Sequence, residues 1–267
     1  MAAYYTRRSV LLQAEVPSTD ELKTLTLDCY EPRAYKKLPV ILLLPILGGK
    51  RTAESMFAEY LANNGFVVVI LERPYTDLIT SGTRINDMLV QELRDCRSVL
   101  DWIQTHRKWD ANRIGILGIS LGGIIGTLLA AIDPRIRASI FALAGAKIWK
   151  ILRDTTEGTF RGHGLAKRRK AYLIENKMTL IDFEADLVNT IHLDPLFLAR
   201  RVRSENILQV QARYDRIIHY EYQRCLGCSL GEPETIVLRS GHFLSMCFIP
   251  YLCFAFAEFF RRKMDIQ

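Results

Sequence analysis

Residues 113–132 read RIGILGISLGGIIGTLLAAI. The opening RIGIL has the short apolar run of a buried strand, the closing IIGTLLAAI has the length and composition of a helix, and between them stand Gly118-Ile119-Ser120-Leu121-Gly122, followed by Gly123. A chain that turns this sharply from strand to helix leaves no room for side chains beside the serine. Glycine at 118 and 122 meets that demand. The turn lifts the Ser120 hydroxyl above the sheet, at the start of a helix whose positive end favours developing negative charge.

Working outward, short apolar runs rich in β-branched residues alternate with helical patterns, the signature of a mostly parallel sheet with helices on both faces. Val40 to Leu44 (VILLL) and Phe66 to Leu71 (FVVVIL) are continuous apolar strands, as expected where both faces are covered. Arg113 to Leu117, Ile136 to Leu143, Ile207 to Ala212 and Glu234 to Arg239 extend the series. Val10 to Ala14 and Thr24 to Tyr30 alternate more and are expected as antiparallel strands at the near edge. Thr52 to Asn63 reads as a helix, with a Thr at its start and Gly65 just past its end. Ile85, Leu89, Leu93, Cys96, Leu100 and Ile103 mark a second helix with one apolar face.

From Gly145 to Ser204 the strand pattern breaks for about sixty residues, too long for a structureless loop in a compact domain. Leu165 to Glu175 and Leu180 to Ile191 have helical character. The expectation is a helical cap inserted within one domain spanning residues 1–267, over the sheet edge where open α/β sheets bind ligands.

A serine hydroxyl becomes a useful nucleophile when a neutral imidazole takes its proton, and an acid must orient that imidazole. Of five histidines, His242 alone follows a late strand, in the loop Ser240-Gly241-His242 before the last helix. Asp215 closes the strand ILQVQAR in the turn Arg213-Tyr214-Asp215-Arg216. Capping of a following helix is the competing role for that carboxylate. His106, His163, His192 and His219 read as surface or cap residues. Two backbone N–H groups should hold the oxyanion: that of Leu121, after the serine, and one from the loop Pro45-Ile46-Leu47-Gly48-Gly49.

From LLLPILGG through GISLGG and YDRIIH to SGHF, the chain resembles the α/β-hydrolase superfamily along nearly its whole length. It is most similar to the dienelactone-hydrolase-like and prolyl-oligopeptidase-like esterases. The resemblance implies the α/β-hydrolase fold and acyl transfer in two half-reactions through a covalent intermediate on Ser120. The substrate would be a carboxylic ester, a thioester or an amide. It also places Leu47 at the second oxyanion donor position, with Pro45 and Ile46 where the family usually has His and Gly. An acyltransferase using the same triad, or a non-catalytic binding protein on this fold, stays open at this point.

Composition narrows the rest. No metal-ligand spacing and no phosphate-binding glycine loop appears, so no cofactor and no metal are expected. Cys225 and Cys228 form an isolated C-x-x-C, read as two small buried thiols on one helix face. The chain carries a net charge of +7. Most of the excess lies between Lys147 and Lys177, where nine Lys or Arg face three acids. Charge gathered in one segment argues against nucleic acid and for a solvated cap surface, an anionic acyl substrate, a partner or a membrane surface nearby. Trp149, Phe160 and Tyr172 accompany Lys167-Arg168-Arg169-Lys170 in that segment. No charged and then apolar leader opens the chain, and the cysteines read as reduced, so a cytoplasmic location is expected. The run Phe243 to Phe260 is apolar but contains Pro250 and Glu258, and is read as a packed final helix. Peripheral membrane contact, a lipid substrate and the oligomeric state stay open.

Overall fold

The computed structural model describes residues 5–16, 21–33, 37–47, 52–73, 78–156 and 164–265. Eight strands form one sheet: β1 (Tyr5–Val16), β2 (Glu21–Pro32), β3 (Leu38–Leu44), β4 (Val67–Leu71), β5 (Trp109–Ile119), β6 (Ile136–Ala142), β7 (Ile207–Ala212) and β8 (Glu234–Leu238). Their spatial order is β1-β2-β4-β3-β5-β6-β7-β8. The β1–β2 and β2–β4 pairs are antiparallel and the remaining pairs parallel. The two alternating stretches at the start of the chain thus form the antiparallel edge that their pattern predicts, each longer than its apolar core suggests.

All residues of β3 and of β4 are buried. Alternate side chains serve opposite faces. Val40, Leu42 and Leu44 enter one apolar core; Ile41 and Leu43 enter the other. The first core is covered by α2 (Gly82–Gln104), through Ile85, Leu89 and Leu100, and by α3 (Leu121–Ile132), through Ile124 and Leu128. The second is covered by α1 (Thr52–Asn63) and α9 (Ile249–Lys263), where Phe57 stacks on Phe256. Gly65 has φ +90°, which suits the left-handed position just past α1. The helix α2 ends at Gln104, so His106 lies beyond it, stacked on Trp109 at a centroid distance of 4.0 Å.

Between β6 and β7 lie α4 (Ile148–Asp154), α5 (Leu165–Glu175), α6 (Leu180–Thr190) and the single turn α7 (Pro195–Leu198). Thr179 caps α6 with a capping box that includes Asp182. Buried Asp194 ties α4 to α7, accepting hydrogen bonds from the backbone N–H of Lys147 (3.0 Å), Ile148 (2.5 Å) and Leu196 (2.8 Å). Phe160 and His163 lie outside the described residues.

One reading is corrected. Cys228 is exposed, because α8 (Tyr220–Ser229) turns Tyr222, Gln223 and Leu226 inward, while Cys225 packs against the first core and is only half-buried. The Cys228 thiol donates to Glu232 Oε1 at 3.1 Å. All six cysteines are free.

The stretch Leu244–Lys263, comprising a 3-10 turn and α9, is long and apolar enough to cross a membrane by length and composition. Within its most apolar window, 44% of the residues are buried inside the fold. Pro250 sits in the first turn of α9, where its missing N–H costs no intrahelical bond.

Candidate active site

Ser120 joins β5 to α3 with φ 55° and ψ −117°, a conformation rarely adopted by a residue bearing a Cβ. Strain of this kind costs about 1–3 kcal/mol and persists only where the surroundings impose it. They do so here. The Ser120 N–H donates to the Ala142 carbonyl on β6 at 2.8 Å, while the Ser120 carbonyl accepts from Gly123 and Ile124 and so opens the helix. A Cβ at position 118 would lie 2.4 Å from the Gly122 carbonyl oxygen, and one at 122 would lie 2.0 Å from that of Leu44. At 123 it would meet the Ala144 methyl at 2.6 Å. The three glycines are therefore a steric requirement of the turn.

His242 follows β8. Its loop is pinned by a hydrogen bond from Tyr214 N–H to the Ser240 carbonyl (2.9 Å), by paired hydroxyls of Ser240 and Ser245 (2.8 Å), and by Ser245 N–H on the Gly241 carbonyl (3.1 Å). The imidazole Nδ1 lies 2.7 Å from Asp215 Oδ2, with both side chains buried. With the Nδ1 proton held by that carboxylate, Nε2 keeps its lone pair for a proton. Asp215 caps no helix, since α8 begins only at Tyr220 with His219 at its cap position, but it does close the turn that follows it. Its Oδ1 accepts from the N–H groups of Ile217 (2.8 Å) and Ile218 (3.0 Å), leaving Oδ2 for the histidine.

Sequence reasoning missed Gln223. Fully buried on α8, its Nε2 donates to Asp215 Oδ2 (3.0 Å) and to the Ile218 carbonyl (2.7 Å), and its Oε1 accepts from Ala212 N–H (2.9 Å). Gln209 supports it in turn by donating to the Gln223 carbonyl (2.8 Å). Two glutamines in the otherwise apolar strand ILQVQA were the available signal, since buried amides require partners.

Arg73 and Glu54 were missed as well. The buried Arg73 guanidinium donates to the Pro45 carbonyl (2.6 Å) and to Glu92 (3.0 Å). Buried Glu54 Oε1 accepts from Ile46 N–H at 3.2 Å. Both groups hold the loop at Pro45 and Ile46, the two positions where the resembled family usually has His and Gly. Leu47 follows at the wall of the cavity, while Gly48 and Gly49 lie outside the described residues. Leu121 is the first residue of α3, so its N–H has no partner within the helix.

Ser120, His242, Leu47 and Leu121 all line one cavity of about 530 Å³. Its wall is mostly apolar, with Ile148, Ile151, Leu152 and Leu165 supplied by α4 and α5. The basic run of the insertion divides in function. Lys167 and Lys170 are exposed, Arg168 lines the cavity, and Arg169 donates to the carbonyls of Leu152 (2.8 Å) and Thr155 (3.1 Å), joining α5 to the end of α4. Trp149 stacks on Phe197 and Tyr172 meets Phe183 edge-on, so both aromatics hold the insertion together. Among the described residues no group of three or more His, Cys, Asp or Glu is placed to hold a metal ion.

Comparison with known proteins agrees with this architecture. The family model described as X-Pro dipeptidyl-peptidase (S15 family) matches residues 21–215. Acetyl esterase Axe7A of Xylanibacter ruminicola is 25% identical over 132 residues, which make up 41% of this chain and 30% of that protein. The chain spans less than half the length of the curated relatives it matches. Among solved structures, the acylaminoacyl peptidase of Pyrococcus horikoshii superposes with a TM-score of 0.71 at 17% identity, covering 100% of this chain and 43% of that one. The alpha/beta hydrolase GrgF from Penicillium sp. sh18 gives 0.68 at 16% identity, covering 98% and 100%. At such identities the likeness shows the fold, which is the α/β-hydrolase fold.

Proposed function

The chain belongs to the X-Pro dipeptidyl-peptidase (S15) family, and from that premise we propose that it is a serine hydrolase acting on carboxylic esters. The observation that carries this reading is the convergence of the Asp215–His242 pair and the strained Ser120 turn on one apolar cavity. In this account His242 Nε2 takes the Ser120 proton as Oγ attacks the ester carbonyl. The N–H groups of Leu47 and Leu121 receive the oxyanion, and Asp215 stabilises the imidazolium. Collapse of the tetrahedral intermediate expels the alcohol, which receives its proton from His242 and leaves the acyl group on Ser120. Water then repeats the sequence, releasing the acid and restoring the serine.

The cavity's charge favours an ester over an X-Pro peptide. A dipeptidyl-peptidase must hold a substrate's cationic amino terminus, which calls for a carboxylate in the binding site. Among the described residues the acid lining this cavity is Glu54, which accepts from the Ile46 backbone, and the cation is Arg168. The test is a comparison of p-nitrophenyl esters of graded acyl length with an Xaa-Pro p-nitroanilide. The expected result is turnover of the esters at a kcat/KM at least about a hundredfold above that of the anilide. Preferential cleavage of the anilide would overturn the ester assignment while leaving the serine mechanism intact.

A further inference from the structure

The segment that follows His242 has two contrasting faces. Ile249, Leu252, Cys253 and Phe256 are buried against the sheet. On the other side Leu244 (65% exposed), Phe248 (38%), Tyr251 (53%) and Phe254 (58%) recur at helical spacing and stand in solvent. A surface helix ordinarily presents polar side chains outward, and a contiguous run of large exposed apolar groups marks an interaction face. Met246 belongs to both environments, being 46% exposed while also lining the cavity that holds Ser120 and His242. The apolar face therefore runs on from the wall of the proposed active site.

The rim of this face is basic. Arg213 and Arg239 are exposed, with the Arg213 guanidinium resting over the Tyr220 ring at 4.4 Å. Backbone hydrogen bonds place both beside the His242 loop, from Arg213 N–H to the Leu238 carbonyl (2.8 Å) and from neighbouring Tyr214 N–H to Ser240 (2.9 Å). Exposed Tyr214 extends the apolar surface between them. Large apolar and aromatic side chains edged by arginines suit an anionic lipid surface, with the side chains entering the acyl boundary and the guanidiniums meeting headgroup phosphates.

We propose that the exposed face of residues 244–254, edged by Arg213 and Arg239, docks the protein onto anionic lipid surfaces, with the cavity mouth turned toward the lipid. The docking stands independently of catalysis. Only the idea that an acyl chain passes from lipid to Ser120 rests on the hydrolase reading.

The experiment is co-sedimentation of the full chain with vesicles of phosphatidylcholine alone and of equimolar phosphatidylcholine and phosphatidylglycerol, at low and high salt. The Y251S/F254S double variant is measured beside wild type, with light scattering, thermal melting and hydrolysis of a short soluble ester. Wild type is expected to sediment with the anionic vesicles and to be released by salt. The double variant should lose about tenfold or more of that binding, as expected from removing two aromatics whose exposed surface would enter the lipid, while keeping its melting temperature and soluble-ester turnover. Wild type remaining in the supernatant, or a double variant that binds as wild type does, would overturn the proposal. So would a wild-type dimer that the double substitution dissolves without any vesicle binding, since the face would then be covered by a second copy. Vesicle binding by a protein inactive on every ester would refute the hydrolase reading and leave the docking face standing.

Discussion

Replacing Gly122 by alanine puts a methyl group where β3 and α3 touch. Its carbon would lie 2.0 Å from the Leu44 carbonyl oxygen, 2.6 Å from the Leu44 carbonyl carbon and 2.8 Å from the Pro45 carbonyl oxygen. All three are backbone atoms, so no side-chain rotation relieves the clash. Ordinary contact begins near 3.4 Å, and the helix and loop must therefore separate by more than an ångström. Overpacking of this kind costs about 1–3 kcal/mol, or several degrees of melting temperature for a chain of this size. The larger effect should be on turnover, because the displaced segments carry the Leu47 and Leu121 N–H groups. Loss of one oxyanion donor lowers kcat by about a hundredfold to a thousandfold. Gly65→Ala serves as the control, since nothing lies within 4 Å of its Cβ and only the φ of +90° is strained. Both variants are compared by thermal melting and by kcat on a p-nitrophenyl ester. A Gly122→Ala protein that melts a few degrees low yet turns over at the wild-type rate would refute the assignment of these two backbone groups.

Further outcomes follow from the same contacts. Gln223→Leu removes a donor from Asp215 and strands the Ala212 N–H and the Ile218 carbonyl, so urea melts should show a loss of about 1–3 kcal/mol per stranded group, with a fall in kcat that Gln223→Glu does not fully restore. Arg73→Met unties the Pro45 carbonyl and leaves Glu92 without its partner; stopped-flow acylation should slow by about tenfold or more while the circular dichroism spectrum stays native. Hydrogen bonds from Arg153, and then from Tyr222, hold the Asp154 carboxyl below its ordinary value despite partial burial. Because the folded-state value is depressed, its stabilising contribution is present above the unfolded value and lost as pH falls through the folded one. The melting-temperature gap between wild type and Asp154→Asn should therefore be full at pH 7 and close only in acid below the usual carboxylate range.

How much of this was legible in the sequence depended on whether the determining contacts were local. The strand, the glycines and the helix around Ser120 lie within twenty residues, and each states its requirement through steric demands that sequence displays directly. The parallel strands were equally plain, because burial on both faces admits only apolar residues in β3 and β4. Strand ends were less so: Tyr5–Val16 and Glu21–Pro32 run well past their apolar centres, since pairing within a long two-stranded ribbon tolerates Arg7, Lys23 and Glu31. Asp215 and His242 could be placed by their positions after strands. Gln223, Arg73 and Glu54 could not, because each is a single polar residue whose partner is chosen by how separate elements pack, whether that partner lies eight residues away, as Ile46 does from Glu54, or twenty-eight, as Pro45 does from Arg73. The exposure of Cys228 was misjudged. Thiols are small and often buried, but the inward face of α8 is set by Tyr222, Gln223 and Leu226.

The central claim is that Ser120 is the nucleophile, and labelling by a fluorophosphonate probe, read by intact mass and peptide mapping, tests it most directly. Wild type should gain one adduct on Ser120, Ser120→Ala should gain none, and His242→Ala and Asp215→Ala should label far more slowly. An adduct on another residue, or undiminished labelling of folded Ser120→Ala, would contradict the account.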